Sequence, residues 1–184
     1  MCLISKKATP SLGLSTQSCP CKTHQKTRLI NLLGLRSFPE LLAENAFMEL
    51  QFFYHRAGTH PVLGEVFHDM AQVSPGQEGV QRYELYVCSV LGAIAQYSGD
   101  CDRLLESLTS VMNGTQLSVC EGGNDVVLNI DASGVQVDIN INDDWIGQPE
   151  SKFSLEEWKK IIESWKYLLE LPKGSDEIVL VKLP

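Results

Sequence analysis

The chain has 184 residues, of which 43% are hydrophobic, and its formal net charge is −8. That length and composition predict a globular protein with a packed core, built as one generous domain or two small ones. The longest apolar run, at residues 87–95, is far shorter than the roughly 20 residues that a membrane-spanning helix needs. We therefore expect no transmembrane segment.

Charge is distributed unevenly along the chain. Residues 1–36 contain six lysines and arginines and no acid, so residues 37–184 carry a net charge of −14. An acidic body repels nucleic acids and anionic membranes, and it accelerates the encounter with basic proteins. We expect a basic protein partner and neither nucleic-acid nor membrane binding. The alternative is that the charge serves solubility alone.

The cysteines and the first residues indicate the compartment. Lys6 and Lys7 follow a very short apolar stretch rather than precede a long one, so we expect no secretory signal peptide. Six cysteines in such a chain are typical of free thiols in a reducing compartment, and a cytoplasmic location is expected. Residues 1–36 are rich in Ser, Thr and Lys and are predicted to form a basic flexible tail or a leader.

Helical patterns are assigned to residues 37–114. Ser37 and Glu40 have the spacing of a capping box, which predicts a helix over residues 37–56. Apolar periodicity and turn residues predict three more helices, over residues 62–73, 80–97 and 101–112. The N-terminal half is therefore predicted to be a helical region.

The apolar period changes from 3.6 to 2 after Gly114. This change predicts a meander of three antiparallel strands, over residues 116–120, 126–130 and 135–141. In the third strand, apolar residues alternate with polar ones such as Gln136 and Asp138. One face of the sheet is expected to be buried and the other to face water or a partner.

A capping box at Ser154 and Glu157 begins an amphipathic helix predicted over residues 155–169, and a fourth strand is predicted over 178–183. Trp158 and Trp165 lie on the apolar side of this helix and are expected to cover the meander. The predicted fold is α+β: a helical half, and a four-stranded antiparallel sheet (βββαβ) over residues 115–184, covered by one amphipathic helix. Residues 37–184 could equally form one continuous domain.

Histidines near residue 60 raise the question of a metal site. Glu65 and His68 have the E-x-x-H spacing that places two ligands on one helix face, and Glu44 could be a third ligand. The surrounding run, AENAFMELQFFYHRAG, resembles the first helix of rubrerythrin-type proteins. That resemblance implies a di-metal site, but the chain has no second E-x-x-H to complete it. We expect no metal or cofactor, and keep a metal-binding ferritin-like enzyme as an alternative.

Acidic residues surround the end of the predicted meander. Trp145 lies among them, and an aromatic anchor ringed by steering carboxylates is typical of a surface that binds a basic protein. The expected partner-binding residues are Asp131, Asp138, Asp143, Asp144, Trp145 and Glu150. The alternative is a solvated strand face with Trp145 tucked beneath it.

The C-terminal sequence supplies a second resemblance. After the acidic DDW segment, the run KFSLEEWKKIIESWKYLLELP resembles the C-terminal part of small bacterial immunity-type proteins, over about 70 of the 184 residues. The resemblance implies a non-enzymatic protein that neutralises a basic polymorphic or contact-dependent toxin by plugging its active site. It implies no catalytic residue. The other alternative is an acidic, dimeric adaptor similar to secretion chaperones.

Overall fold

The computed structural model describes residues 47–184 as a mixed α+β fold with two antiparallel sheets. The first sheet has the strand order β2-β1-β7 and the second the order β3-β4-β5-β6. The strands are β1 Met48–His60, β2 Gly64–Val73, β3 Ser118–Gly123, β4 Val126–Asp131, β5 Gly134–Ile139, β6 Lys152–Phe153 and β7 Val179–Leu183. The helices are α1 Val80–Tyr83, α2 Leu91–Ile94, α3 Ser98–Met112 and α4 Leu155–Glu170.

The prediction of a helical N-terminal half is wrong, because residues 48–73 form a β-hairpin. In β1 the side chains of Met48, Leu50, Phe52 and Tyr54 are buried in strict alternation, which is the period of a strand. The strand pairs with β2 and with β7 on its other side. The residues that suggested a helix cap, Ser37 and Glu40, lie outside the described residues, as does the predicted tail.

A broken helical segment replaces the single helix predicted over residues 80–97. It consists of α1, a π-helical turn at Glu84–Cys88, and α2. The turn buries Tyr86 and Val87. Helix α3 follows and ends at Met112, which confirms the predicted end; Asn113 is its C-cap, and Gly114 has a positive φ of 70°.

The meander of β3, β4 and β5 confirms three predicted strands, but the fourth strand of this sheet is β6. The predicted closing strand, β7, pairs instead with β1 in the other sheet, from Met48 opposite Leu183 to Phe52 opposite Val179. The βββαβ prediction is therefore corrected. The last strand of that prediction, β7, belongs to the first sheet, which the local sequence pattern did not reveal.

Helix α4 begins at the predicted capping box and packs against both sheets. Trp158 makes an edge-to-face contact with Phe153 of β6, at 5.9 Å between ring centroids. Trp165 makes the same kind of contact with Phe52 of β1, at 5.3 Å. The two tryptophans therefore join the sheets through one hydrophobic core. Within residues 47–184, no helix combines the length and the hydropathy that crossing a membrane requires.

Candidate functional site

The outer face of β5 is covered by the segment that follows it. Residues 140–151, here called the acidic loop, fold back after β5 and lead into β6. The core-facing residues of β5 are Val135, Val137 and Ile139, as alternation predicted. On the opposite face, Asp138 is only 9% exposed, because the acidic loop lies over it. That part of the sheet is not open to water.

Asp138 fixes the middle of the acidic loop. Its Oδ1 accepts a 2.7 Å hydrogen bond from the amide of Gly147, and its Oδ2 accepts a 2.9 Å hydrogen bond from Nδ2 of Asn129 on β4. Gly147 has a positive φ of 65°, which suits glycine at this turn. Both carboxylate oxygens are occupied. Asp138 therefore holds the loop and does not present its charge to a partner.

Gln136 fixes the C-terminal end of the acidic loop. Its side-chain amide donates to the carbonyl of Gln148, at 3.0 Å, and to the hydroxyl of Ser151. Ser151 is fully buried and donates its own hydroxyl hydrogen to the Gln148 carbonyl, at 2.9 Å. Buried hydrogen bonds thus fix the loop at two points, one in its middle and one near its end.

Between the end of β5 and the second of these points, the acidic loop exposes both carboxylates and apolar side chains. Asp143, Asp144 and Glu150 are exposed, and Ile141 is 69% exposed. Asp143 and Asp144 lie in a single 3-10 turn. The side chain of Asn142 caps this turn by accepting a hydrogen bond from the Asp144 amide. The result is a short segment that exposes three acids and an isoleucine.

Trp145 and Asp131 have different surroundings from those expected. Trp145 is only partly exposed, and it packs against the hydrophobic core. Asp131 is the last residue of β4, at the opposite end of β5 from Asp143, and accepts hydrogen bonds from the amide and hydroxyl of Ser133. These hydrogen bonds, followed by the charge of Lys152, lower the pKa of Asp131. The structure does not group Asp131 with the acids of the loop.

A cavity of about 620 Å³ opens beside the acidic loop. It lies between Glu150 and the first turns of the broken helical segment, and its volume is in the range of ligand pockets. The lining residues are Gly79, Val80, Gln81, Arg82, Leu85, Tyr86 and Glu150. Sequence reasoning found Glu150 but missed the rest. Apolar residues on every side of the predicted helix indicated burial, not a cavity.

Arg82 forms a fixed part of the cavity wall. Its guanidinium donates to the carbonyl of Lys152 and lies over the ring of Phe153, 4.2 Å from the centroid. The Nε of Arg82 is buried and has no acceptor within residues 47–184. The arginine therefore covers the edge of the two-residue strand β6 and brings a positive charge to the cavity wall.

The proposed metal ligands do not converge. Glu65 and His68 lie on strand β2 rather than on a helix, and residues three apart on a strand point to opposite faces. Glu65 pairs with Arg56, while His68 lies opposite His55 across the hairpin. Glu44 lies outside the described residues. Across residues 47–184, no three His, Cys, Asp or Glu side chains lie close enough together to hold a metal ion.

The partly buried Cys88 and the buried Cys101 are poorly suited to nucleophilic chemistry. Burial, reinforced by the charge of Glu84, raises the pKa of the Cys88 thiol to about 12. Burial and the charges of Asp100 and Asp102 raise the pKa of the Cys101 thiol to about 12 as well. Since the thiolate is the reactive form, both residues behave as small hydrophobic side chains at neutral pH.

No protein-family model, curated protein sequence or solved structure matches this chain. The acidic loop and the cavity beside it are therefore the features from which a function is inferred.

Proposed function

We propose that this protein is a non-enzymatic binding module that holds a basic partner protein through the acidic loop. In its most specific form, the proposal is that the partner is a basic toxin and that the protein neutralises it, as the resemblance of the C-terminal run to immunity-type proteins implies. The observation that carries the proposal is the fixed acidic loop, which exposes Asp143, Asp144 and Glu150.

Preorganisation supports binding through this segment. A loop that the side chains of Asp138 and Gln136 hold in place loses little conformational freedom when a partner docks. Exposed acids and an exposed apolar side chain on one loop suit the mixed chemistry of a protein interface.

The charge of the described region supports a basic partner. Residues 47–184 contain 21 of the 23 acids of the chain, all but Glu40 and Glu44, and nine of its 15 lysines and arginines, which gives a net charge of −12. This field attracts basic proteins over a distance of about one Debye length, and the acidic loop then sets the orientation.

Affinity capture with matched variants tests the proposal. The loop variant, Asp143→Lys/Asp144→Lys, reverses two exposed charges. The control, Glu106→Lys/Glu163→Lys, makes the same change in net charge at exposed positions of α3 and α4. We expect mass spectrometry to find a basic protein that the wild type and the control retain and that the loop variant loses.

Two outcomes distinguish binding through the acidic loop from neutralisation of a toxin. Equal retention by the loop variant and the wild type would contradict the acidic loop as the binding surface. If the captured protein is a toxin, cells that express it should survive only when the wild type or the control variant is co-expressed. Survival without either one would contradict neutralisation while leaving binding intact.

A further inference from the structure

Two histidines face each other across the hairpin of β1 and β2. His55 of β1 lies directly opposite His68 of β2 in the antiparallel register. The pair lies in the regular part of that register, before the irregularity between Arg56 and Gly58. Residues that are directly opposite project from the same face of a sheet, with their Cβ atoms about 4.5–5.5 Å apart. The register therefore places the two imidazoles side by side.

Both imidazoles lie on the outer face of the first sheet. Phe52 and Tyr54 of β1 are buried in the core, so the alternation of a strand directs the adjacent His55 to the opposite face. A slip of the strand by one residue would expose Phe52 and Tyr54, so their burial fixes the register and with it the pairing of the histidines. His55 and His68 are both exposed, and an ion from solvent can reach them.

The fold does not use the ring nitrogens of these two histidines. His60, the third histidine of the hairpin, does have a structural role, because its Nδ1 accepts hydrogen bonds from the amides of Val62 and Leu63, each at 3.2 Å. Within residues 47–184, the side chains of His55 and His68 make no hydrogen bond and no ion pair. A neutral imidazole has one nitrogen with a free lone pair. Each of the two side chains therefore offers one nitrogen to a ligand.

Charge and ligand chemistry favour a metal cation at this position. Arg56 is the only lysine or arginine of β1 and β2, and it is paired with Glu65. The net charge of −12 on residues 47–184 attracts cations. Imidazole nitrogens suit zinc, copper and nickel ions, whereas Mg²⁺ takes oxygen ligands. Since a zinc–nitrogen bond is about 2.0–2.1 Å long, two imidazoles on opposite residues can reach one ion.

We propose that His55 and His68 together bind one divalent transition-metal ion, such as Zn²⁺, across the hairpin. Each histidine supplies one nitrogen, and the other coordination positions stay open, because no three His, Cys, Asp or Glu side chains come together within residues 47–184. The ion links β1 to β2 on the exposed face of the hairpin. Neither histidine belongs to the acidic loop, so this inference does not depend on the proposed function.

Metal titration followed at the histidine rings tests the site. Zinc chloride is added to full-length protein labelled with ¹⁵N-histidine, and magnesium chloride serves as the control ion. The ring signals are assigned by their loss in His55→Gln and His68→Gln. The six cysteines of the chain can also bind zinc, so the ring signals are followed rather than the total metal bound. We expect the signals of His55 and His68 to respond to Zn²⁺ with one common affinity, and neither to respond to Mg²⁺.

The single variants test whether the two histidines act as a pair. His55→Gln should weaken the Zn²⁺ response of His68 by at least about tenfold, and His68→Gln should do the same to His55. Losing a group that only supports a metal ligand already costs about ten- to hundredfold in metal affinity. The control, His60→Gln, removes a histidine that lies opposite Gly64, and it should leave both responses unchanged. All three histidines are exposed, so these variants are expected to fold.

Three outcomes would overturn the site. The first is an unchanged response of His68 in His55→Gln, which would show that each histidine binds zinc singly. The second is the absence of a saturable response in the wild type, and the third is an equal response to Mg²⁺. Capture of a basic partner by the acidic loop succeeds or fails separately, because Asp143→Lys/Asp144→Lys leaves both histidines in place.

Discussion

The amide of Gly147 donates a 2.7 Å hydrogen bond to Oδ1 of Asp138, an aspartate that is 9% exposed on the outer face of β5. This contact turns a strand residue into an anchor for the acidic loop. It separates two roles among acids that are close in sequence. Asp138 builds the surface, and Asp143 and Asp144 present charge on it.

Replacing Asp138 with alanine should reduce stability. The change removes the acceptor of the Gly147 amide and of the Asn129 side-chain amide, and each lost hydrogen bond typically costs about 0.5–1.5 kcal/mol. Asp143→Ala removes an exposed acid and should change the free energy of unfolding by less than about 0.5 kcal/mol. Urea denaturation of both variants provides the measurement. Equal unfolding midpoints would show that Asp138 does not anchor the loop.

The two tryptophans of α4 should differ in their response to phenylalanine. Trp165 donates a 2.9 Å hydrogen bond from Nε1 to the carbonyl of Ala95, so Trp165→Phe loses packing volume and leaves a buried carbonyl unpaired. The Nε1 of Trp158 is buried without a partner in the described part of the chain, so Trp158→Phe loses volume alone. We expect Trp165→Phe to cost about 1–2 kcal/mol more, measured by urea unfolding. An equal or larger cost for Trp158→Phe contradicts this expectation.

The elements that the sequence predicted well are those whose pattern is local. Helix α4 begins at its capping box, and the meander has a clean period of 2. The helix predicted in place of β1 was wrong for a physical reason. The apolar residues between Met48 and Tyr54 fit the 3.6-residue period of a helix as well as the two-residue period of a strand, and the upstream capping box favoured the helix. Which sheet β7 joins depends on β1, more than 120 residues earlier, and local patterning carries no information on that pairing.

The candidate site could be predicted only in part, because it also depends on contacts between distant parts of the chain. The alternation in β5 placed Asp138 correctly on the outer face, but a polar residue there is compatible with water or with a covering loop. The cavity brings Tyr86 and Glu150 together from 64 positions apart in the chain. Such a site depends on tertiary packing, so only the acids of the loop could be found beforehand.

Alanine at Gly134 should disrupt the start of β5. Gly134 has a φ of 133°, and a Cβ there would overlap the carbonyl oxygen of Phe153 on β6. We expect Gly134→Ala to cost about 2 kcal/mol or more in the free energy of unfolding. Gly92, in helix α2, has no atom within 4 Å of an added Cβ, so Gly92→Ala should be neutral or stabilising by up to about 1 kcal/mol. Thermal denaturation checks both, and a stable Gly134→Ala protein would refute the expected clash.

Stability should fall at alkaline pH because Cys101 is buried. Burial raises the pKa of its thiol from 9.0 to about 12, so above pH 9 the unfolded chain releases this proton while the folded protein retains it. The contribution is fully present below pH 9 and is lost as the pH rises towards 12. The slope is at most about 1.4 kcal/mol per pH unit for one group.

The variant Cys101→Ala isolates this contribution. It should be less stable than the wild type at pH 7, because it loses a buried sulfur, and its stability should fall less steeply between pH 9 and 12. Urea unfolding across this pH range gives both curves. Curves that stay parallel throughout the range would show that the thiol does not contribute to the alkaline loss.

The central claim is that Asp143 and Asp144 guide a basic partner onto the acidic loop. The most direct test is the association rate with the captured partner, measured by stopped flow at several salt concentrations for the wild type, Asp143→Lys/Asp144→Lys and Glu106→Lys/Glu163→Lys. We predict that the loop variant associates at least about tenfold more slowly at low salt and depends less on salt, while the control stays close to the wild type. Equal rates and equal salt dependence for the two variants would contradict the account.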